Sequence, residues 1–162
     1  MGDTGAKRAV EWLVSAAPDP GACRWAWERH PLGVALLPAG RVWDVLVVPG
    51  RLGRRTLRVL GRRAEPAGPV LGDARGDGDA RVGFLVPAGT AAHWVGTGIR
   101  GLGPGSWVVV PHPGRTAGRV RWLAAPDGSG RLTTPGLLEL ALHQAVVELA
   151  DEDRYRRGRA HR

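Results

Sequence analysis

The chain has 162 residues, 43% hydrophobic and 23% charged, a profile that fits one soluble globular domain and argues against two full domains. Its single cysteine, Cys23, excludes an internal disulfide and a structural zinc site. No apolar run approaches the ~18 residues of a membrane span and the first residues lack a signal-peptide core, so a cytoplasmic protein without membrane contact is expected. A net charge of +8 favours polyanionic partners such as DNA. That pull is discounted because all but Lys7 of the 23 basic residues are arginine, beside 25 glycines and 13 prolines, the signature of GC-rich coding.

Residues 6–17 read as a short helix ending before Pro18-Asp19-Pro20-Gly21, and 22–29 as a second, with Trp25 and Trp27, stopped by His30-Pro31. Val34 to Leu37 and Val42 to Val48 read as two strands paired with each other across Pro38-Ala39-Gly40, the second buried on both faces. Residues 51–63 have helical composition. Arg51, Arg55, Arg58 and Arg62, spaced four, three and four, share one face, either solvated or facing phosphates. A Gly/Pro/Asp-rich loop spans 64–80, a strand 81–86 and a helical turn 90–94. Short strands follow around Ile99, at 107–110 and at 119–123. Residues 135–150, free of Gly and Pro after their first turn, form the clearest helix, and 153–162 a basic, disordered tail behind a domain of residues 1–152. The total is a single α+β domain, helices flanking a mostly antiparallel or mixed sheet.

Few motifs carry chemistry. Gly96-Thr97-Gly98-Ile99-Arg100-Gly101 spells a dinucleotide fingerprint, but Gly103, Pro104, Gly105 and a strand follow it where a helix is required. The five histidines are scattered singly. Asp73, Asp77 and Asp79 share a loop without the pattern of a calcium site. No metal or cofactor is expected.

Four segments together resemble the bifunctional primase/polymerase domain of the archaeo-eukaryotic primase superfamily, from about Ala6 to Ala150. They are Trp25-Ala26-Trp27-Glu28-Arg29-His30-Pro31, Gly40 to Leu46, the Arg100-Gly101 segment running into Trp107-Val108-Val109-Val110-Pro111, and Gly118-Arg119-Val120-Arg121-Trp122. The resemblance implies a nucleotidyl-transfer site built on an Asp-x-Asp pair, a histidine and a further aspartate. Aligned on this chain those positions read Val47, Pro49, Gly83 and Gly98; a shift of three residues would bring in Asp44, leaving Leu46 in the second place. Such side chains offer a hard cation no oxygen. A degenerate, non-catalytic domain is therefore expected, binding nucleic acid or nucleotide through Arg100 and the face Arg51, Arg55, Arg58, Arg62, with Trp107 as packing first and stacking second. The alternatives are a protein-interaction module, given the seven tryptophans, and an active polymerase recruiting Asp44 and Asp79.

Overall fold

The computed structural model describes residues 2–30, 33–63, 67–74, 80–96 and 98–162. Helix α1 (Gly2–Val14) leads into α2 (Pro20–Arg29), which starts two residues earlier than the sequence suggests. Asp19 accepts a hydrogen bond from the Ala22 amide at 3.1 Å, and Pro20, at the first helical position, needs no amide partner.

Strands β1 (Val34–Pro38) and β2 (Trp43–Pro49) do not pair with each other, contrary to the sequence expectation. Both edges of β2 are taken by other strands. Gly40, at φ +92°, turns the chain between them, and a Cβ there would stand 2.6 Å from the Pro104 nitrogen, so glycine alone fits. β1 pairs with β6 (Trp107–Pro111) as a two-stranded ribbon. β2 sits in a five-stranded sheet with β3 (Val70–Asp73), β4 (Arg81–Pro87), β5 (Arg100–Leu102) and β7 (Val120–Ala124), in the order β5-β2-β4-β3-β7. Every pairing is antiparallel. β3 lies inside the stretch expected to be loop; four residues flanked by Gly and Pro are too short for a periodicity to register.

The sheet buries both faces. Leu46, Val48, Val82, Phe84 and Val70 pack on α3 (Gly50–Gly61) and α5 (Pro135–Ala160). α3 comes so close that a Cβ on Gly53 would lie 2.5 Å from the Val82 Cβ. On the other face Val45, Leu71, Leu85 and Trp122 meet Leu13 and Val14 of α1, Trp27 of α2 and the inward residues Leu37, Val108 and Val110 of the ribbon. Two indoles fix the ribbon, Trp27 Nε1 donating to the Val110 carbonyl and Trp122 Nε1 to that of Pro111, both at 3.0 Å. A short helix α4 (Thr90–His93) closes the element list.

α5 runs ten residues beyond the expected end at Ala150, through the segment expected to be a disordered tail. The acids just past that point explain it: Glu152 and Asp153 bind arginines of α3, and Arg154 reaches Asp151 at 2.7 Å.

Candidate nucleic-acid interface

β2 lies between β5 and β4, and the registers align its residues with theirs. Val47 stands opposite Arg100 on one side and Gly83 on the other, and Gly83 opposite Leu71. Two residues along, Pro49 stands opposite Arg81, and Arg81 opposite Asp73. Directly opposed residues project from the same face of a sheet, as do residues two apart. Arg100, Val47, Gly83, Pro49, Arg81 and Asp73 therefore share the face away from α3 and α5.

This face forms the floor of a cleft of about 300 Å³ whose other wall is the ribbon. The floor is apolar: Val45, Val47, Leu71, Leu102 and the bare backbone of Gly83. A Cβ at position 83 would approach Val45 Cγ1 to 3.0 Å, so the floor is packed around a glycine. From the ribbon, Trp107 and Val109 turn outward and stay 57% and 41% exposed beside Leu36, which is opposite Val109 and 61% exposed. Trp107 and Val109 also line the cleft. Charge sits at the rim. Arg100 is exposed and has no hydrogen-bond or ion-pair partner among the described residues. Asp73 is held by Arg119, Nε to Oδ1 at 3.3 Å.

A model of the bifunctional DNA primase/polymerase N-terminal domain matches residues 1–138. The chain belongs to that family. Searches of curated proteins and of solved structures found no match. The cleft lies on the sheet face opposite α3 and α5, beside the ribbon.

The positions that sequence assigns to the family's metal-binding residues come together here only in part. Val47, Pro49 and Gly83 line one face; Gly98, at φ +81°, lies two residues before Arg100. Residues 96–101 lead into a strand, so the dinucleotide fingerprint has no helix to serve; Thr97 lies outside the described residues. Asp44, which a shifted register would bring into the first of these positions, lies on the other face of the sheet. It alternates with Val45, faces away from the cleft, and is fully buried, its Oδ2 accepting from the Gly89 and Ala91 amides at 2.9 Å each. It is a cap for α4. Asp77 and Asp79 lie outside the described residues. Among the described residues no three His, Cys, Asp or Glu side chains are grouped to hold a metal.

The arginine face of α3 is elsewhere and is occupied. Arg51 binds Asp153 through two contacts of 2.8 and 3.3 Å, Arg55 binds Glu152, and Arg62 reaches both Glu148 oxygens at 2.7 and 2.8 Å. Arg58 stays exposed. α3 packs on the opposite side of the sheet from the cleft, so Arg100 and these four residues do not form one site. Sequence reasoning missed Arg81, Asp73 and Arg119 as rim residues. Their signal was faint: Arg81 opens a strand two residues before Gly83, and Asp73 belongs to a strand hidden in a loop.

Proposed function

We propose that this primase/polymerase-family domain binds nucleic acid or nucleotide in the cleft without polymerising it. The observation that carries the reading is the row Arg100, Val47, Gly83: an unpaired guanidinium directly beside a floor with no side-chain oxygen. Divalent cations need several oxygen ligands, and phosphoryl transfer in this family's manner relies on them for charge stabilisation. Val47, Pro49 and Gly83 do not fit such ions, and Asp73, the acid that lines the cleft among the described residues, is paired with Arg119. Arginine instead meets phosphate oxygens directly, through a planar fork of donors. In this reading Arg100 takes a backbone or nucleotide phosphate, and Trp107 offers its ring to a base above the apolar floor. The floor keeps water from competing for the base but supplies no group to activate a hydroxyl, so binding ends in release.

The test is fluorescence anisotropy of a labelled primer–template at low and near-physiological salt, with wild type and Arg100→Glu. Salt-steep binding that Arg100→Glu abolishes supports the reading; equal binding by the variant rejects the cleft as the site.

A further inference from the structure

Helix α5 is apolar on two opposite sides. Leu138, Ala141, Leu142 and Ala145 are buried against α3 and the sheet, whereas Leu140 and Val147 are 57% and 55% exposed. The outward residues Gly136, Leu140, His143, Val147, Ala150 and Arg154 succeed one another at steps of four and three, the spacing of a seam between two paired helices. α5 also outruns its support. Its last ion pair to α3 is at Asp153, near where α3 begins, and residues 154–160 continue as helix although every one is exposed.

We propose that this face pairs with the same face of a second copy of the chain, the two α5 helices running antiparallel and crossing near Val147. The charge distribution selects the partner and its direction. Glu139 is exposed near one end of the seam, while near the other lie Arg154, which also pairs with Asp151 at 2.7 Å, and Arg157. Antiparallel pairing sets Glu139 of each copy against Arg154 and Arg157 of the other, and the protruding end of each helix gains a neighbour. Parallel pairing would bring the arginine-rich ends together and be repelled. The two-fold contact is isologous and closes, so assembly stops at two. Only Leu140 to Ala150 is apolar, roughly 15 Å of helix at ~1.5 Å per residue, so the dimer is a reversible one. The pairing lies across the sheet from the cleft and leaves it open.

Sedimentation equilibrium of the full chain over a concentration series, in low salt, tests this. The expected result is a mass rising from one chain to two. Leu140→Lys combined with Val147→Lys stays at one chain with unchanged circular dichroism and thermal midpoint, since both side chains are exposed in the monomer. Glu139→Arg raises the dissociation constant by about tenfold, the effect of like charges at a contact, and adding Arg157→Glu restores it. A one-chain mass at every concentration overturns the proposal, as does a dimer indifferent to the Leu140→Lys/Val147→Lys pair. Either outcome is independent of nucleic-acid binding.

Discussion

Asp44 separates a structural carboxylate from a catalytic one, and the difference is measurable as stability. Removing it in Asp44→Ala leaves the Gly89 and Ala91 amides without their acceptor. An unsatisfied amide costs about 1–3 kcal/mol; because the α4 turn lies at the surface and water can reach it in part, the low end of that range applies, about 1–1.5 kcal/mol each and about 2–3 kcal/mol for the pair. Losing the buried carboxyl returns a little of this, since Asp44 Oδ1 has no hydrogen-bond partner. For a chain of this size each kcal/mol shifts the thermal midpoint by roughly 2–4 °C, so Asp44→Ala should melt about 4–12 °C lower. Asp44→Asn keeps an acceptor oxygen and should recover about half of the loss. Urea unfolding by circular dichroism, with midpoint and slope read together, checks both. An Asp44→Ala protein within about 0.5 kcal/mol of wild type, the ordinary surface range, would refute the capping role and reopen Asp44 as a site residue.

Gly53→Val forces a side chain into the 2.5 Å gap to Val82 and should destabilise by about 1–3 kcal/mol through overpacking, read by the same denaturation. The α3–α5 clamp is acid-sensitive: hydrogen bonds from Arg51 and Arg55 hold the Asp153 and Glu152 carboxyls below their ordinary range. Their stabilisation is therefore present above the unfolded carboxylate values and lost as pH falls through the lower folded ones; amide exchange at 148–160 should rise there before that of the sheet. Trp107→Ala should weaken single-strand binding by about 5- to 150-fold, the ~1–3 kcal/mol of one stacked base, with the fold unaltered; an unchanged affinity would remove the indole from the interface.

Strands β2, β4 and β6 were legible in the sequence because each is a short, mostly apolar run that ends at a proline. Their partners were not. β1 and β2 are adjacent in the chain and both apolar, and nothing local says that β6, about seventy residues on, outcompetes β2 for β1. The arginine spacing on α3 correctly implied one face, but its partners Glu148, Glu152 and Asp153 lie nearly a hundred residues away, the last of them in a segment whose charge suggested disorder. The floor of the cleft was legible position by position, as Val47 and Gly83; that the two stand opposite each other beside Arg100 is a matter of register, which only the folded sheet supplies.

Cation dependence tests the central claim most directly. Anisotropy of a labelled primer–template should give one dissociation constant in Mg²⁺, in Mn²⁺ and in excess EDTA at fixed ionic strength, with no primer extension in any of them, because Arg100 and not a bound cation meets the phosphate. Binding that needs Mg²⁺ or Mn²⁺ and vanishes with EDTA, or extension of the primer when either ion is present, would contradict the account.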